Sequence, residues 1–188
     1  MKLSILVASL HNRSMLLKRL KGILERQLAG NEDVVELIVV QDDGTATIGE
    51  KRNILLSKSQ GDYVCFIDDD DLVSPKYVAL ILEALSVKPD CVGMEGIIYE
   101  SNIVVKKFYH SIKYRQWTSD GKAYFRNPNH LNPVRSDIAK EVGFPKINKG
   151  EDRFYSEHIL SELHKEVVIP VPIYYYFPGC SFTQPVNY

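Results

Sequence analysis

The chain has 188 residues, 45% hydrophobic and 25% charged, with a formal net charge of −1. This balance suits one globular domain with a real core and excludes a disordered tail, while the near-neutral charge excludes a generic polyanion binder. Cys65, Cys91 and Cys180 form no Cys-x-x-Cys pair, which argues against a zinc site or a disulfide framework and for a reducing compartment.

The apolar run at 3–8 is too short, and too weakly flanked by positive charge, for a signal peptide. It predicts a strand buried on both faces. Leu16, Leu17, Leu20, Ile23, Leu24 and Leu28 then recur at helical spacing, with Asn12 or Ser14 as a cap and Gly30-Asn31 as the stop. Residues 34–40 predict a second buried strand and 48–59 a second helix. Residues 63–67 predict a third, short strand that runs into Asp68-Asp69-Asp70-Asp71. Ser74-Pro75 marks the next helix start, with Ser as N-cap and Pro at the first helical position. Strand and helix thus alternate three times, which implies parallel strands joined by right-handed crossovers.

Beyond residue 90 the pattern changes. Residues 91–107 read as extended, antiparallel strands around breaks at Gly93 and Asn102, and 111–133 as polar, aromatic loop. Helices are expected at 136–142 and 151–164, and strands at 167–169 and 173–177, separated by Pro170 and Pro172. No stretch approaches the roughly 18–20 apolar residues of a membrane span. A cytoplasmic protein without an integral membrane segment is expected, folded as a single domain over 1–188.

Two acidic clusters, Asp42-Asp43 and Asp68 to Asp71, each follow a predicted parallel strand. Ligands of open parallel sheets bind in the crevice outside those strand ends, so both clusters should face it. Four consecutive carboxylates repel, and water, basic side chains, raised pKa values or a cation must relieve them. One or two acids would only favour the dipole of the next helix; four after a buried strand point to a cation site. Hard carboxylate oxygens suit Mg²⁺ or Mn²⁺, and such a cation with open positions recruits a diphosphate. Between the clusters, Lys51-Arg52 could reach a phosphate or a carboxylate, or form an exposed helix face.

Four segments in order carry a resemblance: residues 4–9 with Asn12-Arg13; 36–44 ending in Asp42-Asp43-Gly44; Lys51-Arg52-Asn53; and 61–71 ending in the acidic run. Together they resemble a family 2 glycosyltransferase of the GT-A fold. That implies an α/β fold: a Rossmann-like, mixed, mostly parallel central sheet flanked by helices, with a smaller antiparallel acceptor-side part. Residues 1–100 would bind the nucleotide sugar and 101–188 the acceptor.

By the same resemblance Asp42 or Asp43 would contact the nucleoside, most often uridine, and Ser9 and Arg13 would line its pocket. Arg52 matches the basic position near the nucleotide. Asp68-Asp69-Asp70 matches Asp-x-Asp, with Asp70 as direct ligand to Mn²⁺ or Mg²⁺ beside Asp68. Lys149-Gly150-Glu151-Asp152 resembles the element that supplies the general base of inverting members, here Asp152 with Glu151 and Glu157 as substitutes. His130 is open between acceptor, metal and a hydrogen-bonded loop role. Trp117, Tyr114 and Tyr124 could stack on a sugar or cover the core.

The processive Gln/Arg-x-x-Arg-Trp element is missing, so transfer of a single sugar is expected. The donor would be a nucleotide-diphosphate sugar, UDP-linked in keeping with the family's bias to uridine, and the acceptor a hydroxyl on a glycan, lipid, protein or modified base. The alternatives are a non-catalytic sugar-nucleotide-binding module, or a nucleotidyltransferase, which would lack its usual Gly-rich loop after the first strand.

Overall fold

The computed structural model describes residues 2–101 and 103–178. The first strand, β1 (Leu3–Leu10), is apolar on both faces, and each face carries its own cluster. Leu3, Ile5 and Val7 pack against Leu17, Leu20 and Leu24 of α1 (Ser14–Leu28) and Tyr77, Ile81 and Leu85 of α3 (Tyr77–Leu85). Leu6 points the other way, into a cluster with Leu55 and Leu56 of α2 (Ile48–Lys58), Ile138 of α4 (Ser136–Val142), and Tyr155 and Ile159 of α5 (Glu151–Ile159). The period-2 alternation of a strand thereby sets helices on both faces of the sheet.

β1 lies between β2 (Val35–Asp42) and β3 (Tyr63–Phe66), parallel to both, as the strand-helix alternation implies. The sheet continues through β9 (Val134–Arg135), β5 (Cys91–Glu100), β6 (Ile103–His110), β8 (Ala123–Arg126) and β7 (Thr118–Ser119). β9 is antiparallel to β3 and β5, and β5 to β6, so the second half has the expected antiparallel character. Gly93 is no break: it sits within β5, where a Cβ would meet the Glu166 carboxylate at 2.8 Å. Asn102 and Cys180 lie outside the described residues.

β10 (Glu166–Tyr176) is one strand where two were expected. It runs parallel to β5 and absorbs Pro170 and Pro172 through register shifts. Its far end pairs antiparallel with β4 (Leu72–Val73), just past the acidic run.

The third helix starts later than expected. α3 begins at Tyr77, not Pro75, because Ser74 closes a turn: its carbonyl accepts from Tyr77 N and its hydroxyl from Lys76 N. α2 opens on a capping box, in which Thr47 and Glu50 exchange side-chain and backbone hydrogen bonds. That end of α2 also grips the 145–148 loop: Gly49 N donates to Ile147 O and Ile48 N to Asn148 Oδ1. A Cβ at Gly49 would lie 1.8 Å from the Pro145 carbonyl oxygen, so only glycine allows this approach. Among the described residues no helix is long and apolar enough to cross a membrane.

Candidate active site

The carboxyl ends of β1, β2 and β3 open onto a cleft of about 460 Å³ lined by Ser9, Arg13, Lys51, Arg52, Asp68, Asp69, Asp70 and Glu151. β3 delivers the acidic run directly. Phe66 N donates to His130 O, Ile67 N to Leu6 O, and Asp71 N closes a turn onto Asp68 O. The four carboxylates then separate, each to its own partners.

Asp68 Oδ1 accepts from Arg52 NH2 at 3.1 Å and Oδ2 lies 3.4 Å from His130 Nε2. Burial alone would raise this carboxyl, but His130 and Arg52 outweigh it and hold it well below the usual range. Asp69 is buried, accepts from Ser9 Oγ at 2.6 Å and pairs with Arg13 at 3.0 Å. Arg13 also reaches Asp70 at 2.6 Å. Burial still raises both carboxyls, with Arg13 only partly offsetting it. Asp71 turns away from the cleft. It accepts from Tyr174 Oη at 2.7 Å and Phe177 N at 2.9 Å, and burial together with the neighbouring Asp68 charge pushes its carboxyl well up. Asp71 therefore anchors the end of β10.

Arg52 is almost fully buried and spans two carboxylates, Asp68 and Glu151, the latter at 2.7 Å. Its guanidinium also lies 5.4 Å from the Phe144 ring and 5.8 Å from Phe66. Lys51 takes the other direction, to Asp42 Oδ1 at 2.8 Å and Ser9 O at 3.3 Å. That bond, with one from Ala46 N, holds the Asp42 carboxyl well below its usual range. Both cations of the pair reach carboxylates. Asp43, next in sequence, points outward at 80% side-chain exposure and contacts His11 instead.

A second cleft, of about 420 Å³, shares Asp68, Tyr176 and Pro178 with the first and adds His130, Arg126 and Asp152. Its wall follows from strand alternation. Lys106, Phe108 and His110 of β6 lie on one face, and the β8 register sets Tyr124 and Arg126 beside them. His130 Nδ1 is buried and has no hydrogen-bond partner among the described residues. Gly150, ahead of α5, has φ +81° with open space where a Cβ would sit. Its glycine therefore serves the left-handed turn rather than a close approach. Trp117 Nε1 donates to Ser156 Oγ, and Tyr114 packs on Phe125, so of the three aromatics Tyr124 alone lines the second cleft.

The structure thus gathers Ser9, Arg13, Arg52, Asp68, Asp69, Asp70 and Glu151 at one cleft, sets Asp42 behind Lys51, and puts His130 and Asp152 at the second. Tyr176 and Pro178, at the junction of the clefts, carry no signal in the sequence. Arg126 had one: Tyr124-Phe125-Arg126 alternates as a strand would. Among the described residues no group of three or more His, Cys, Asp or Glu side chains is arranged to hold a metal ion.

The model for glycosyl transferase family 2 matches residues 47–143, just over half of the chain. The chain belongs to this family. Solved structures agree on the fold. S. aureus TarS 1–349 matches with a TM-score of 0.64 at 16% identity, over 94% of this chain and 60% of that one. The same protein in complex with UDP-GlcNAc matches at 0.67 and 15%, over 99% and 62%. The mannosyltransferase PcManGT from Pyrobaculum calidifontis, solved with GDP-Man and Mn²⁺, matches at 0.60 and 12%, over 93% and 56%. At such identities the likeness is one of fold, and the family 2 chain described here spans less than two thirds of each of these structures. No protein of curated function matches the sequence. Family and fold agree: this is a family 2 chain with the fold of these solved structures.

Proposed function

We propose that the chain is an inverting glycosyltransferase that moves one sugar from a UDP-linked donor to an acceptor hydroxyl with the help of a divalent cation. The carrying observation is the start of α5, where Glu151 lines the cleft with the acidic run and Asp152 lines the second cleft. An inverting transfer needs donor and acceptor on opposite sides of one carbon, with a base on the acceptor side. Two clefts that meet at Asp68 supply that layout.

In this reading Ser9, Arg13 and Asp42 or Asp43 serve the nucleotide, while Arg52 keeps Asp68 and Glu151 in place. The donor set fits a hard cation. Asp68 and Asp70 offer carboxylate oxygens at the cleft, and Mg²⁺ or Mn²⁺ needs only one or two carboxylates when a diphosphate supplies the rest. Asp70 and Asp68 would hold it, with His130 beside Asp68, and the bound cation would neutralise charge on the departing diphosphate. Asp152 would take the proton from the acceptor hydroxyl as that oxygen attacks the anomeric carbon.

The test is transfer from UDP-sugars to a panel of hydroxyl acceptors, with the anomeric configuration of the product read by NMR. An inverted product whose formation stops in excess chelator supports the proposal. A retained configuration removes Asp152 as base, and full activity in chelator removes the cation.

A further inference from the structure

The second cleft holds two cations, Arg126 and Lys106, that form no ion pair among the described residues. Arg126 is half-buried, with its guanidinium 4.3 Å from the Trp117 ring and 5.2 Å from the Tyr124 ring. Among the described residues it forms no ion pair, and the acid it feels most is Asp152. Burial pulls the guanidinium below its usual range, and the Asp152 charge offsets this only in part. Lys106 also meets the Tyr124 ring, with Nζ 4.7 Å from its centroid and donating to Tyr124 Oη at 3.4 Å. An aromatic face steadies a cation yet leaves its hydrogen-bond donors open. The reverse face of β6 offers a contrast: Lys107 is exposed and solvated, whereas Arg126 is withdrawn between rings at the cleft wall. Glu100, also at this cleft, lies at the solvent-exposed end of β5.

We infer that the second cleft takes an acceptor that carries an anionic group, a phosphate or a carboxylate, held by Arg126 and Lys106 while the reacting hydroxyl lies at Asp152. This rests on the second cleft being the acceptor side of the transferase. A guanidinium between two rings presents a planar fork that fits either anion, and Lys106 adds a point charge. Anchoring the anion at β6 and β8 would orient the hydroxyl toward α5, which is how a remote contact assists a reacting centre.

The test uses glucose 6-phosphate, glucuronate and glucose as probes, titrated into the full chain by calorimetry with saturating UDP to fill the first cleft. The anionic probes should bind more tightly than glucose, and Arg126→Gln should weaken them by roughly tenfold or more, the scale of a lost charge-assisted hydrogen bond. Lys106→Gln, at a more open position, should act in the same direction, and Arg126→Lys should recover part of the loss. The two anionic arms tell phosphate from carboxylate. Equal binding of glucose and both anions, or anion binding unchanged in both Gln variants, overturns the inference. Turnover of UDP-sugar, followed separately, reads the transferase assignment: donor turnover without anion preference sinks the acceptor class alone, and anion binding without turnover of any nucleotide sugar sinks the transferase reading.

Discussion

Glu151 and Asp152 are adjacent in sequence but face different clefts: Glu151 is buried against Arg52 at 2.7 Å beside the acidic run, and Asp152 lines the cleft of Arg126 and His130. Successive residues in a helix's first turn point about 100° apart, so one helix start serves both sides. Asp152→Asn should therefore lower transfer by about 10²–10⁴-fold, the range for a lost general base, with donor affinity kept. Glu151→Gln should weaken the fold and the donor cleft instead. Steady-state kinetics beside donor titration separates the two.

Arg52 joins Asp68 to Glu151 from a nearly buried position. Arg52→Ala should cost about 3 kcal/mol, the low end for breaking a buried pair, because Asp68 keeps access to water. Arg52→Lys should rescue little, since a single ammonium cannot fork between two carboxylates. Urea unfolding of both variants is the measurement.

Asp71 holds Tyr174 Oη and Phe177 N, and so fixes the chain that leads to Tyr176 and Pro178 at the junction of the clefts. Asp71→Ala leaves both donors without this acceptor, at about 1–3 kcal/mol each, partly offset by lost repulsion with Asp68. Asp71→Asn should fall between it and wild type. Faster hydrogen exchange at the Phe177 amide in Asp71→Ala would report the loosened segment.

His110 is fully buried with Nδ1 2.9 Å from Asn132 Oδ1, and burial pushes its pKa down to about 3. The unfolded imidazole takes its proton near 6.5, while the folded one refuses it to about 3. Stability from His110 is thus complete above the unfolded value and is lost as pH falls through that window. The raised Asp71 carboxyl acts in the opposite sense, since the folded state keeps that proton longer. His110→Gln should flatten the acid limb of the stability curve, measured by urea unfolding between pH 7 and 4.

Much of the site was legible because the run of buried strands and amphipathic helices fixes where a parallel sheet ends. Asp68 to Asp71 and Asp42 follow directly from that. What the four acids do individually was not legible. Asp71 is claimed by Tyr174 and Phe177, more than a hundred residues away, rather than by the helix after Pro75. The join of β10 across two prolines depends on its neighbour β5, which local signals do not contain. The Thr47 to Glu50 capping box was readable from spacing alone, as Thr-x-x-Glu before a helix.

Cation-dependent donor binding at the acidic run is measured most directly by thermal unfolding with a UDP-sugar and Mn²⁺, alone and together, for wild type and Asp70→Ala. Ligand at about 100 times its Kd stabilises by roughly 2.7 kcal/mol, well above detection. The two ligands together should raise Tm more than the sum of each alone in wild type, and Asp70→Ala should lose that excess. No shift with any nucleotide sugar, or an undiminished Mn²⁺-dependent excess in Asp70→Ala, would contradict the assignment.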